Sequence, residues 1–364
     1  MDFSSFTRLA LLLIWLSGSW PGSCALASQD SLAQVPLVLT TSTPFYQNFS
    51  VGFSLQSSYG AAAIIFTKPN GELETQTVVS HGGRPYREVM ARLSLESSRH
   101  PAPPYGDDGE YWADQPRQAA RTALKAIGLP ASYEVGVLSA VVRSLRAQLE
   151  GAFGIRIAEA VFTASHLAAL YQDDLEDVAV YLGGLRYVTP RREFHPYVWE
   201  TSAAYAGYGR GLCGAWWNDT ACALEEVEEM PVIALLSVHY GRTALTVALS
   251  EIDGAGGLWE PLYRHRENFG LGREALGGYG SEEEDWEDVR REVLIITVEF
   301  PGFPNPDLVM VTGDTADGEF LEHLRSALMG HIGSVPEVLS NGSLVAAAKG
   351  AVEFMRRGPA RWSR

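Results

Sequence analysis

Cysteine, basic charge and long apolar runs are all scarce in this sequence, and each scarcity removes a class of function. The three cysteines and eight histidines among 364 residues never fall into the close spacing that a zinc site needs. Lys and Arg number 28 against 44 Asp and Glu, a formal net charge of −16. A surface that acidic repels nucleic acid and anionic lipid, so neither is an expected partner. No apolar run reaches the roughly 18 to 20 residues that span a bilayer. G-x-S-x-G, H-E-x-x-H and any clear pair of catalytic carboxylates are missing, which argues against the common secreted hydrolases. The acidic run from Glu282 to Asp288 lacks EF-hand spacing and reads as a mobile acidic loop rather than a calcium site.

The N-terminus carries an address. Arg8, the apolar core Leu9 to Leu16 and Ala25-Leu26-Ala27 have the layout of a secretory signal peptide over residues 1–27. Its removal takes Cys24 and leaves Cys213 and Cys222, which an oxidising compartment favours as a disulfide. The sequons at Asn48, Asn218 and Asn341 fit a glycosylated, exported chain. The C-terminal Arg361-Trp362-Ser363-Arg364 is no retention signal. Secretion is the expected localisation.

Periodicity supplies the elements. Ser50 to Lys68 predicts two strands around a turn at Gln56 to Gly60, and Asn70-Gly71 predicts a hairpin into a third strand. His100 to Pro116 reads as an exposed Pro- and Gly-rich loop before a helix over 115–127. Tyr133 to Leu149 is an amphipathic helix with Val135, Leu138, Val141, Val142, Leu145 and Leu149 inward. Ile157 to Thr163 reads as a strand, and Ser165 to Leu182 as a helix whose Asp173, Asp174, Glu176 and Asp177 form a solvated face. A short Ala-rich helix is expected over 198–209. Trp216-Trp217, between the cysteines, is expected to pack beneath their loop. Ile233 to Val238 and Thr243 to Ser250 predict a hairpin broken at His239-Tyr240-Gly241-Arg242. Val293 to Phe300 and Leu308 to Val311 read as strands. Helices are expected over 319–328, with Phe320, Leu321, Leu324 and Leu328 inward, and over 344–357. Strands, helices, then strands and helices again imply an α/β chain of two halves with one plan.

The order of these pieces resembles the nucleotide-binding domain of the seventy-kilodalton heat-shock proteins (DnaK-like), within the actin and sugar-kinase superfamily. Val51 to Tyr59, VGFSLQSSY, is similar to that family's first phosphate loop, V-G-I-D-L-G-T-T-Y. Ala160 to Thr163 and the segment after it resemble its A-V-I-T-V-P strand and helix. Val198 to Ala204 through Tyr208-Gly209 resemble its N-E-P-T-A-A-A…Y-G connection. The hairpin after Ile233 resembles its second phosphate loop, D-L-G-G-G-T-F-D-V. Leu308 to Gly313 and Ala346 to Met355 resemble V-L-V-G-G and A-V-A-Y-G-A-A. The resemblance covers most of the chain after residue 27. It implies a two-lobed actin-like ATPase fold with a duplicated mixed sheet and flanking helices, residues 28–210 forming the first lobe and 211–364 the second. The short interval from Ser237 to Gly313 implies a reduced upper subdomain in the second lobe.

The same alignment implies a damaged site. The family's loop carboxylates organise magnesium and water, and its glycines let backbone amides reach phosphate. Here Ser54 and Gln56 replace the first-loop Asp and Gly, with Ser57 following. Ser237 replaces the second-loop Asp, and His239 and Tyr240 replace glycines, leaving Gly241, Arg242 and Thr243 in the turn. Gly313-Asp314 closes the set, Ala316 and Leu344 stand where the adenine pocket has Arg and Asp, and the phosphate-contacting Lys has no counterpart. Glu200 alone keeps its register. The chain therefore reads as a secreted pseudo-ATPase serving as a binding or structural module for an unidentified protein or glycan partner. It has no peptide-binding chaperone domain and no expected cofactor or metal. The alternatives are an ATP-binding protein with slow, magnesium-dependent hydrolysis through Glu200, and an unrelated secreted hydrolase.

Overall fold

The computed structural model describes residues 48–68, 70–189, 197–259, 264–278, 281–299 and 302–358. The expected signal peptide and the C-terminal tetrapeptide lie outside these residues. Among the described residues there are twelve strands in two mixed sheets and nine α-helices, and no helix is long and apolar enough to cross a membrane.

The first sheet grows from the meander that Asn70-Gly71 turns. Strands β1 (Phe49–Leu55), β2 (Tyr59–Thr67) and β3 (Leu73–His81) are antiparallel neighbours. β4 (Glu159–Ala164) then lies parallel to β1, with Gly52 opposite Val161. β5 (Arg186–Tyr187) and β6 (Val198–Trp199) both pair with β4, so the order is β3-β2-β1-β4-β5. The second sheet repeats that order. β7 (Ile233–Tyr240) and β8 (Leu245–Ile252) form the hairpin, and β10 (His265–Asn268) pairs with β8. β11 (Leu308–Thr312) runs parallel to β7 and β12 (Glu337–Leu339) parallel to β11, giving β10-β8-β7-β11-β12, with β9 (Leu258–Trp259) beside β8.

Both sheets are buried on both faces, which is why their central strands are continuous apolar runs rather than alternating ones. One face of the first sheet, Val51, Phe53, Leu55, Ala62, Ile64 and Phe66, packs under α1 (Arg84–Leu93), α3 (Tyr133–Phe153) and α4 (Gln172–Leu182). In the second sheet, Leu236, Val238, Tyr240, Val247 and Val309 pack under α7 (Glu282–Glu299) and α8 (Gly318–Ile332). The remaining faces share α5 (Glu200–Gly207) and α9 (Ala346–Arg357), whose alanines pack with Val161 of one sheet and Leu235 and Met310 of the other. The two helices can cross this closely because Gly207 meets the Ala346 carbonyl and Gly350 the Ala203 carbonyl; a Cβ at either glycine would overlap backbone. α9 also covers Ala61, Ala63 and Ile65 of β2.

Several expectations need correction. Helix α2 (Asp108–Ala126) begins inside the expected loop, because the Asp107 carboxylate accepts from Glu110 N and caps it. Pro116 is tolerated within α2 because it strips a partner only from the carbonyl of the exposed Trp112. The segment after Ser165 is not helical until Gln172, since Ser165 N still bonds to the Leu55 carbonyl and extends the ladder. The β7–β8 turn is Gly241 to Ala244, two residues later than expected, because His239 and Tyr240 pair in the sheet with Thr246 and Leu245. The acidic segment and the expected strand over 293–300 are one helix, α7. Trp286, Val289, Val293 and Ile296 form its buried stripe, and Glu282 to Asp285 sit in its first turn, where negative charge suits the helix dipole.

The acidic face of α4 is the largest surprise. Asp174 and Asp177 are buried, and Arg121 of α2, itself buried, bonds to both at 2.6 and 2.7 Å. Arg117 bridges Asp114 and Asp173, and Lys125 reaches Asp177 at 2.7 Å. Burial and the neighbouring Asp173 push the Asp174 carboxyl up against the pull of Arg121. Asp173, Asp174 and Asp177 tie α4 to α2 rather than facing solvent, while Glu176 is exposed as expected. Cys213 and Cys222 are joined as expected, with Cα atoms 5.4 Å apart. Trp217 is exposed rather than packed beneath the loop, while Trp216 is half-buried under the Arg356 guanidinium.

Candidate functional site

The ends of β1, β7 and β11 meet at one polar cluster. The repeated strand order sets this meeting, since β1 and β7 hold the same place in their sheets. Ser54 is the penultimate residue of β1, Gln56 and Ser57 follow in the β1–β2 turn, His239 is near the end of β7, Thr312 ends β11, and Glu200 opens α5. Ser57 and His239 are each 2 % exposed and Glu200 3 %.

Glu200 is the hub. Its Oε1 lies 2.9 Å from His239 Nδ1 and accepts from Thr312 Oγ1 at 2.5 Å. Its Oε2 accepts from Ser165 Oγ at 3.0 Å. The Gln56 amide, turned so that its nitrogen faces the carboxylate, donates to Oε2 at 2.8 Å while its oxygen accepts from Ser54. Burial alone would raise the Glu200 carboxyl, but His239 and the hydrogen bonds from His239, Thr312 and Ser165 outweigh it and hold the group below its ordinary range. Burial likewise works against a charge on His239, and the adjacent Glu200, aided by Asp314, lifts it above the ordinary value. The two form a buried ion pair that joins α5 to β7 of the second sheet. On its far side, His239 Nε2 faces Ser57 Oγ at 3.4 Å.

A second knot lies beside it. Asp314 Oδ1 accepts from Ser58 Oγ at 3.2 Å and from Arg242 N at 3.0 Å, and its Oδ2 meets Arg242 Nε at 3.2 Å. Gly313 makes this possible, since its φ of 115° and its contact with the Tyr240 backbone suit glycine alone. His81 stands 3.8 Å from Asp314; burial and then Arg242 lower its pKa against the pull of Asp314, so it faces the carboxylate neutral at pH 7. Gly241 roofs both knots, because a Cβ there would lie 3.1 Å from His239 Nε2 and Ser57 Oγ and 3.3 Å from Asp314 Oδ1.

The structure thus gathers Ser54, Gln56, Ser57, Glu200, His239, Gly241, Arg242, Gly313 and Asp314 of the expected set. Ser237 is buried on β7. Tyr240 does not belong: it points to the other face of its sheet and stacks on Phe320, centroids 4.3 Å apart. Period-two alternation within β7 puts His239 on the site and Tyr240 in the core. The Thr243 hydroxyl has no hydrogen-bond partner. Ser58, Tyr59, Ser165 and Thr312 are members that sequence reasoning missed. Tyr59 stacks near His239 at 6.3 Å and its hydroxyl donates to the Leu344 carbonyl. Thr312 carries a signal as the polar residue that ends the apolar strand β11, and Ser165 as the polar residue that directly follows β4.

Magnesium–nucleotide chemistry does not fit this donor set. Glu200 already accepts four hydrogen bonds, Asp314 is occupied by Ser58 and Arg242, and an imidazolium lies where a divalent cation would need carboxylate oxygens. Two of the three lysines are committed elsewhere: Lys68 pairs with Glu72 and Glu74, and Lys125 with Asp177. Among the described residues, the one group close enough to hold a metal is Cys213, Cys222 and Glu226, whose sulfurs are spent in the disulfide. Neither a scan against protein-family models nor a search of curated proteins finds a match for this chain.

Proposed function

We propose that the chain is a DnaK-like, actin-like pseudo-ATPase, exported and glycosylated, that works as a binding or structural module. The repeated strand order, with helices shared between the sheets, supports the actin-like reading. The observation that carries the loss of activity is the Glu200–His239 pair. It fills and neutralises the space between the first hairpins of the two lobes, where the superfamily places phosphate and metal. Exposed side chains at Asn48, Asn218 and Asn341 are compatible with glycosylation. Calorimetric titration with ATP and ADP, each with and without magnesium, tests the proposal. No heat at millimolar nucleotide is expected; micromolar, magnesium-dependent binding would overturn it.

One observation favours a hydrolytic reading instead. Ser57, His239 and Glu200 stand in the order nucleophile, base, orienting carboxylate. Burial of all three beneath Gly241 denies a substrate access. Covalent labelling of Ser57 by a fluorophosphonate would restore this reading.

A further inference from the structure

Helix α6 (Asp219–Glu229) and its flanks present apolar side chains that are exposed among the described residues. Leu224 is 56 % exposed and Val227 83 %, one helical turn apart on the same face. Trp217 precedes the helix at 69 % exposure and Val232 follows it at 60 %. The opposite face is anchored: Cys222 is buried in the disulfide, and Glu225 accepts from the backbone of Gly214 and Ala215. The exposed face is therefore held rigidly outward by a covalent bridge and a carboxylate clamp. Burying such a surface on a partner releases water without first ordering the helix.

Charge selects the partner. The helix holds Asp219, Glu225, Glu226, Glu228 and Glu229 and no Lys or Arg. Glu228 and Glu229 are exposed beside Val227. The two arginines that touch the disulfide loop are committed: Arg356, over Trp216, and Arg357 both bind Glu353, and Arg357 also donates to the Cys213 carbonyl. A second copy would oppose one acidic helix to another within a chain of net charge −16, which like-charge repulsion disfavours. We infer that the α6 face is a docking site for a basic, amphipathic segment of another protein, its apolar side on Leu224, Val227 and Trp217 and its cations on Glu228 and Glu229. This gives the binding-module reading its partner class, yet it does not depend on the state of the nucleotide cleft.

The test uses the full chain with its Cys213–Cys222 bond intact and a fluorescent Leu/Lys amphipathic peptide, followed by anisotropy. Binding that weakens as salt rises is expected, with a loss of about tenfold or more for Val227→Asp and again for Glu228→Lys/Glu229→Lys. Both substitutions are at exposed positions, so unchanged melting temperatures confirm that the variants fold. Equal binding to either variant, or equal binding of a Leu/Glu peptide, overturns the proposal. Light scattering that reports a dimer dispersed by Val227→Asp also overturns it, in favour of a second copy. Nucleotide binding in the calorimeter would leave these outcomes unchanged, so the two readings fail separately.

Discussion

Breaking the Glu200–His239 pair from either side should destabilise the protein with opposite pH dependence. Consider His239→Leu first. Glu200 is then a buried carboxylate without a cation, and removing one partner of a buried pair costs about 3–5 kcal/mol when the other stays charged. Glu200 can escape by taking a proton. Measured against its ordinary value of 4.5, that costs about 3.4 kcal/mol at pH 7 but only about 0.8 kcal/mol at pH 5. Consider Glu200→Gln next. His239 now escapes by losing its proton, which against an ordinary value of 6.5 costs about 0.2 kcal/mol at pH 7 and about 2 kcal/mol at pH 5. The parent has its own dependence. His239 is raised, so its contribution is complete below 6.5 and fades as pH climbs through the raised value. Glu200 is lowered, so its contribution is complete above 4.5 and fades as pH falls through the lowered value. The pair is therefore worth most between about pH 4.5 and 6.5. Relative to the parent, the cost of His239→Leu should grow by roughly 2 kcal/mol from pH 5 to pH 7, and that of Glu200→Gln should shrink by roughly 2–3 kcal/mol. Urea titrations of all three proteins at both pH values, followed by tryptophan fluorescence, measure these differences. Slopes of the same sign would refute the ion pair.

Two further substitutions probe the scaffold. Arg121→Met leaves Asp174 and Asp177 without their shared buried cation and should cost about 3–5 kcal/mol, read by calorimetry as a fall in melting temperature on the order of 10 °C; a shift within about 2 °C would mean the network is solvated after all. Gly350→Val drives a side chain into the Ala203 carbonyl at the α5–α9 crossing. It should destabilise by more than the 1–3 kcal/mol typical of overpacking, seen as lost soluble yield, whereas the same change at the open Gly302 should be tolerated.

The sequence carried the elements better than their surroundings. The β1 to β3 meander, α3 and β11 were legible because each has one dominant signal: a turn dipeptide, a helical stripe or an apolar run between turns. α7 reads as two pieces because its acidic first turn resembles a loop and its apolar second half a strand, although one helical stripe crosses both. Asp174 and Asp177 read as a solvated face in the sequence because their cations lie on α2, more than 50 residues away in the chain. Distance hid the site in the same way. Glu200, His239 and Ser57 could each be singled out, but the contacts joining Glu200 to His239 and Ser57 to His239 span 39 and 182 residues. No periodicity encodes such a pairing. The disulfide, by contrast, spans nine residues and was legible from spacing and compartment together.

The Glu200–His239 pair also bears on where a signal could act. In a two-lobed ATPase, nucleotide supplies the differential contacts that move one lobe against the other, and a ligand can shift an equilibrium only by such a difference. Here the bridging charges belong to the chain itself, and Gly207 and Gly350 lock the helices that the two sheets share. Both kinds of contact join the two sheets within one folded chain. A surface held rigid by covalent and hydrogen-bonded clamps can be bound without first being ordered, and α6 joins that rigidity to the exposed Leu224 and Val227.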